Sequence, residues 1–341
     1  MLCCGYVELR AVVTQVTKRW SVYKEDAKVY EVVKVASSTG KKRKGVLFAR
    51  AKKEEGEARI LVVGKYRLWV FTRATKKKVT ELAEFHIFGM KSLRYEERTH
   101  RLTIALKTPL EKPTPLDFYC RPESQLFKGI VESYRAMTVG FPDDFIHISV
   151  VGGALPERAE PSGSAYDHFV ANYVGQCSYL KMPVCDEILA YVEQQLATHR
   201  DVLDLTCVPA IRSAAAEESG KAAAPSVAFA AALGALSYDT HFRSVVLSRS
   251  QHAPTLRAVG RLLARNTHLT KLVATRVAGG DAELSDVFSG LASCARSNVQ
   301  VLDLSGNAFG PKSAGLLADW LGRTQRAVRV LVLRDCGLHA R

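Results

Sequence analysis

The segment VQVLDLSGN at 299–307 places Val299, Leu302, Leu304 and Asn307 at its first, fourth, sixth and ninth positions. The same apolar spacing recurs in Phe242, Val245 and Leu247, in Leu269, Leu272 and Ala274, and in Val328, Leu331 and Leu333. First positions therefore stand at 242, 269, 299 and 328, separated by 27, 30 and 29 residues. Between them, TLRAVGRLLARN, AELSDVFSGLASC and AGLLADWLG have helical apolar spacing. A unit of this kind contributes one short strand whose alternate side chains enter a shared core. A single unit cannot bury them, so consecutive units must stack.

The pattern LxxLxLxxN with a helix in each interval reads as a leucine-rich repeat, and its spacing suits the long ribonuclease-inhibitor type. An earlier strand, VLDLTC at 202–207, fits at Leu203 and Leu205 but has Arg200 where the first apolar residue belongs, as in an opening turn. The Ala/Ser/Glu tract near 212–226 reads as a mobile insertion. The ninth positions are Ser250, Val277, Asn307 and Cys336, an incomplete asparagine ladder. Within each strand the residue between the two core positions faces outward, on the concave side of a solenoid. These residues are Asp204, Val246, Val273, Asp303 and Val332. Three valines in such a row point to contact with a protein partner whose identity the sequence does not give; ordinary β-propensity is the plain alternative. The sequence stops soon after Leu338 without a polar closing helix, as expected of a piece of a longer solenoid.

Ahead of the repeats, residues 28–121 hold short runs of Val, Ile, Leu, Phe and Tyr broken by charged or Gly-containing turns. The runs include KVYEVVKVA, ARILVVG, YRLWVFT, KSLRYEE and HRLTIAL, with alternation from Arg67 to Phe71. In PESQLFKGIVESYRAM the period changes, and Leu126, Ile130, Tyr134 and Met137 fall on one helical face. Antiparallel strands closed by one amphipathic helix predict a PH-like barrel. The expected fold is thus multidomain α+β, a PH-like β-barrel with a C-terminal helix followed by an α/β leucine-rich-repeat solenoid. Its parts are an N-terminal segment 1–27, a PH-like domain 28–139, a Gly/Pro-rich linker 140–165, a helical cap 166–200 and repeats over 201–341.

Charge separates these parts. Residues 1–140 carry 29 Lys and Arg against 15 Asp and Glu, while the remainder carries 19 of each, so the net +14 belongs to the front region. Lys41, Lys42, Arg43, Lys44, Lys52, Lys53, Arg59, Arg73, Lys76, Lys77 and Lys78 lie in or beside expected turns. Converging on one rim, they would hold acidic membrane lipid by diffuse electrostatics, each worth about 1 kcal/mol near the surface. Glu54, Glu55 and Glu57 interrupt this basic run and count against a specific phosphoinositide pocket. Trp20, Tyr23, Tyr66 and Trp69 among basic residues open an RNA-binding alternative, but no specific nucleic acid is expected as a partner.

Enzymatic and metal chemistry have weak signals. Eight cysteines, at 3, 4, 120, 177, 185, 207, 294 and 336, lack zinc-site or disulfide-scaffold spacing. Cys3 and Cys4 have no accompanying second lipidation signal. His168 and Cys177 suggest no third catalytic group, and Gly152 and Gly153 are not followed by a phosphate-loop lysine. No enzyme activity, cofactor or metal is expected. A stretch of about 20 apolar residues, as a spanning helix requires, is absent from the sequence, and the start MLCCGYVELR is not a secretory signal. A cytoplasmic protein, peripheral at the plasma membrane or cytoskeleton, is expected.

The order of parts, together with RILVVGKYRLWVFTRATKKKVTELAEFHIFGMKSLRYEE, GFPDDF, ALSYDTHFRSVVLSRS and LRAVGRLLARNTHLTKLVATRV, resembles the CARMIL family, large regulators of actin-capping protein that link to membrane and myosin. Asp143 stands where the family's Phe-Pro-Gly exit has glycine. The resemblance implies a membrane-associated adaptor of the actin cytoskeleton. The family binds capping protein through a tail beyond the repeats, which these 341 residues do not include. A cytoskeletal or flagellar scaffold without lipid binding is the other adaptor reading.

Overall fold

The computed structural model describes residues 14, 16, 18, 19, 27–34, 57–72, 80–107, 115–121, 125–157, 163–209, 225–249, 254–323 and 328–338. The chain divides into two compact units, one of Met1–Met137 with Pro142–Glu160 and the other of Thr138–Phe141 with Pro161–Arg341.

In the first unit the β-branched and aromatic runs form β1 Lys28–Lys34, β2 Glu57–Val63, β3 Arg67–Thr72, β4 Glu81–His86, β5 Met90–Glu96, β6 Arg101–Leu106 and β7 Leu116–Tyr119. Helix α1, Leu126–Met137, follows, and then β8, His147–Val151. The sheet order is β4-β3-β2-β1-β7-β6-β5-β8, with β8 parallel to β5 and the other pairs antiparallel. Helix α1 buries Leu126, Ile130, Tyr134 and Met137, and Phe127 stacks on Tyr95 with ring centroids 5.2 Å apart. The segment expected to be linker is divided: residues 138–141 belong to the second unit, while β8 adds a strand to the first. Arg135 on α1 holds the chain after β8, donating from Nη1 to the carbonyls of Pro156 and Glu157 at 2.9 Å each.

Strand β3 departs from simple in-and-out alternation. Arg67, Leu68, Trp69, Val70 and Phe71 are all buried, so both faces of this strand are covered. Arg67 is accommodated by Glu84, 2.8 Å away and itself largely shielded; burying the charge without such a partner would be prohibitive.

The second unit begins with two helices, α2 Ala165–Leu180 and α3 Asp186–Ala197. Ser164 and Asp167 form a reciprocal capping box at the start of α2. Strands and helices then alternate: β9 Val202–Asp204, α4 Pro225–Ala235, β10 Ser244–Ser248, α5 Pro254–Leu263, β11 Lys271–Thr275, α6 Asp281–Ser293, β12 Val301–Asp303, α7 Pro311–Arg323 and β13 Val330–Val332. The five strands are parallel and adjacent in chain order. Leu203, Val245, Leu272, Leu302 and Leu331 stand side by side across the sheet, and the first four are buried.

This topology corrects the expected fold class. The protein is a mixed α/β molecule with an eight-stranded mixed sheet and a five-stranded parallel sheet, and among the described residues neither a closed PH-like barrel nor a ribonuclease-inhibitor-type solenoid is shown. Closure needs the outermost strands to pair, whereas β4 and β8 occupy opposite edges of the first sheet. In the second unit the period fixes which residues are neighbours. Order and register define a parallel α/β sheet, and a superhelical coil would require a further rotation between successive units.

Candidate functional site

The parallel sheet gathers the five outward residues read from the sequence into one row. Register pairs Asp204 with Val246, Val246 with Val273, Val273 with Asp303, and Asp303 with Val332. Their neighbours along each strand are core residues: Leu203 and Leu205 about Asp204, Val245 and Leu247 about Val246, Leu272 and Ala274 about Val273, Leu302 and Leu304 about Asp303. The five row residues are half-buried, so the valines are less exposed than the sequence reading supposed. Neighbouring strands lie about 4.8 Å apart, close enough for the side chains of a row to shield one another.

The two aspartates interrupt the apolar row and organise its backbone. Asp204 Oδ1 accepts from Thr206 N at 2.9 Å, and Asp303 Oδ1 accepts from Ser305 N at 3.0 Å. Each thereby makes the local turn that ends its strand. This role accounts for their presence without a partner, whereas the adjacent pair Val246 and Val273 has no such local duty.

A second row, missed by sequence reading, follows at the C-terminal ends of the strands. Ser248, Thr275, Ser305 and Arg334 are succeeded by Arg249, Arg276, Gly306 and Asp335. The latter four have positive φ, at 54°, 50°, 72° and 54°. Only glycine adopts this region without steric cost, but the conformation aims the first three amides at the next repeat. Arg249 N donates to Thr275 O at 3.0 Å, Arg276 N to Ser305 O at 2.9 Å, and Gly306 N to Arg334 O at 2.7 Å. The available signal was the period itself, since these residues directly precede the ninth positions.

With Asp303 and Val332, these rows line an open depression of about 520 Å³. Arg249, Arg276 and Arg334 are exposed, and among the described residues none forms a salt bridge. A Cβ at Gly306 would approach Arg276 Cγ to 2.5 Å, so the Arg276 stem crosses directly over that glycine.

The basic cluster expected in the front region is represented among the described residues by Arg59 alone; Lys41, Lys42, Arg43, Lys44, Lys52, Lys53, Arg73, Lys76, Lys77 and Lys78 lie outside them. Arg59 is half-buried on β2 and bonded to the Glu57 carboxylate, which offsets its charge. Another depression in this unit, about 320 Å³, is lined by Arg94, Glu96, Arg101, Thr103 and Asp117 among others. There Asp117 accepts from Arg101 Nη2 at 3.0 Å and from Thr103 Oγ1 at 2.6 Å, so the Arg101 charge is offset within the protein.

Of the rings considered for base stacking, Tyr66 and Trp69 are buried, while Trp20 and Tyr23 lie outside the described residues. Burial pushes the Cys177 thiol up to about 12, the opposite of what a thiolate nucleophile needs. Among the described residues no cluster of three His, Cys, Asp or Glu is placed to hold a metal ion, and no helix is long and apolar enough to cross a membrane.

No family model matches this chain, and no curated protein does. Among solved structures it is similar to the complex of PDZ-RhoGEF DH/PH domains with GTP-gamma-S activated RhoA, at 8% identity and TM-score 0.25, over 36% of this chain and 33% of that one. It is also similar to the hSac2 domain from human phosphoinositide phosphatase Sac2, at 9% identity and TM-score 0.26, over 46% of this chain and 96% of that one.

Proposed function

We propose that this chain is a non-catalytic adaptor whose outward parallel-sheet face holds a protein while its basic front region adheres to acidic lipid. The observation that carries the reading is the row of Asp204, Val246, Val273, Asp303 and Val332, with two valines adjacent and no local role for either. The lipid contact rests on the +14 excess confined to residues 1–140, and the placement at the membrane side of the actin cytoskeleton rests on the sequence resemblance to the CARMIL family. The raised pKa of Cys177 argues against a thiol enzyme, and the burial of Tyr66 and Trp69 argues against an RNA-stacking sheet.

The test replaces Val246, Val273 and Val332 together with Ser in the full chain and compares thermal unfolding and the proteins retained from a cell extract. The expected result is a modest change in stability with loss of specific retained proteins. As a contrast, Leu304→Ala in the buried layer beneath should cost about 2–5 kcal/mol. An identical retained set from a folded valine variant overturns the docking role.

A further inference from the structure

We propose that the docking face is built for an acidic, apolar-containing extended peptide, with a carboxylate seated between Arg249 and Arg276 and an apolar side chain two residues away, on the same face of the peptide, on Val246 and Val273. This inference rests on the docking reading and names the chemistry of the occupant.

Arg249 and Arg276 stand one residue beyond the last register pair of their adjacent strands, Ser248 with Thr275. Adjacent strands are about 4.8 Å apart and both arginines line the same depression, so two positive charges share one small region, an unfavourable arrangement without an anion. Among the described residues no carboxylate forms a salt bridge with either. A bound anion relieves the repulsion and gains charge-assisted hydrogen bonds from two guanidinium groups.

Hydroxyl groups complete this half of the depression. Thr275 Oγ1 donates to Ser248 Oγ at 3.0 Å. One lone pair of Ser248 Oγ thus accepts from its neighbour, and its own O–H is available as a donor. The protein's own carboxylates in the depression, Asp303 and Asp335, belong to the β12 and β13 side. Asp303 already accepts from Ser305 N. Gly306 leaves room for the Arg276 stem, which would otherwise meet a Cβ at 2.5 Å.

The ligand's second property follows from the adjacent row. Val246 and Val273 stand two residues before Ser248 and Thr275 on the same face, because side chains two apart share a face of a strand. The anion subsite and an apolar subsite therefore adjoin, and an extended peptide carrying both side-chain types can reach both. A free small anion would gain nothing from the valines. A nucleic acid would place phosphate at the arginines but meet aliphatic side chains where base stacking calls for aromatic rings.

The test is fluorescence anisotropy of the full chain with a labelled ten-residue peptide in which Glu and Leu take turns at every second residue with Ser between them, so that both share one face, beside the same peptide with Lys in place of Glu. The variant is Arg249→Asn with Arg276→Asn, since asparagine tolerates positive φ better than most residues. The Glu peptide should bind more tightly than the Lys peptide, weaken as salt rises, and lose about tenfold or more in the double variant, as expected when charge-assisted bonds are removed. Val246→Ser with Val273→Ser should also weaken it. Unchanged binding in the arginine variant places the peptide on the basic front region and overturns the proposal. Equal binding of a uridine decanucleotide, lost in the same variant, overturns it in favour of nucleic acid. If the arginine variant is unfolded, equal affinity for the Glu and Lys peptides in the native chain still overturns the proposal. Loss of extract proteins in the valine variant, with Glu-peptide binding indifferent to the arginines, leaves the docking role standing without this ligand.

Discussion

Asp239 and Asn266 occupy equivalent places one period apart, each three residues ahead of a first apolar position, Phe242 or Leu269. Asp239 Oδ1 accepts from His241 N at 2.9 Å and Phe242 N at 2.8 Å, and Asn266 Oδ1 accepts from His268 N at 2.8 Å and Leu269 N at 2.7 Å. Burial raises the Asp239 pKa, while the hydrogen bonds from Phe242 and His241 offset part of that rise. With the folded pKa above the unfolded one, the native state holds its proton more tightly, and stability falls as pH rises from about 4 through the folded value. Asp239→Asn keeps the acceptor and removes the charge. We expect the variant to be at least as stable at pH 7, with its relative advantage disappearing below about pH 4. Unfolding temperatures measured from pH 3.5 to 8 test this; a variant less stable at neutral pH would show that the charge itself supports the turn. The ninth position gives a related lesson. Asn307 Nδ2 donates to the carbonyls of Ala274 and Leu304 at 2.7 Å each, as its place in the repeat leads one to expect, whereas Cys336 takes part through Sγ, 3.4 Å from Leu304 O. The thiol is a weak donor, so nothing in its type announces the role.

Between elements, α5 and α6 approach closely at two glycines. A Cβ at Gly260 would meet Asp286 O at 2.3 Å, and one at Gly290 would meet Gly260 O at 2.1 Å, both backbone atoms. Helical Gly→Ala ordinarily gains up to about 1 kcal/mol. Here the clash exceeds that gain, and Gly260→Ala should destabilise the unit by about 1–3 kcal/mol net, the usual range for overpacking. Gly315 in α7 has nothing within 4 Å of its built Cβ, and Gly315→Ala should show the ordinary gain of about 1 kcal/mol. Urea unfolding of both variants separates the cases; two stabilised variants would mean that α5 and α6 are free to move apart. Helical patterning identified these segments, yet a glycine within such a pattern does not reveal what faces it.

At the scale of the molecule, charge is the most unequal property. The 29 basic against 15 acidic residues of positions 1–140 contrast with 19 of each thereafter. The full chain should bind vesicles containing phosphatidylserine in preference to phosphatidylcholine alone and release them as salt shortens the Debye length from about 10 Å at 0.1 M to about 3 Å at 1 M. Reversing Lys76, Lys77 and Lys78 to Glu should weaken this binding. Sedimentation with vesicles measures both effects, and equal retention by neutral vesicles would remove the electrostatic mechanism. Limits for isolating the front unit follow from β8, which pairs with β5 from beyond α1. A truncation at residue 139 would discard that strand and leave the β5 edge unpaired.

The sequence by itself determined the period of the second unit, because a repeating core needs equivalent apolar residues at equivalent places. It thereby determined which residues stand beside one another, from Leu203 to Leu331 and from Asp204 to Val332. It also determined the helical face of α1 and the confinement of charge to the front region, both properties of residue order alone. Whether the first sheet closed depended on its outer strands, and sequence patterns describe faces of strands rather than the meeting of distant edges. The complete burial of β3 and the Arg67–Glu84 pair arose from cover on both sides, which local alternation does not encode. The joining of Arg249, Arg276, Ser248 and Thr275 into one depression likewise belonged to tertiary structure. Parallel pairing brings residues 27 positions apart to adjacent strands, and the left-handed backbone at their ends fixes how those arginines leave the sheet.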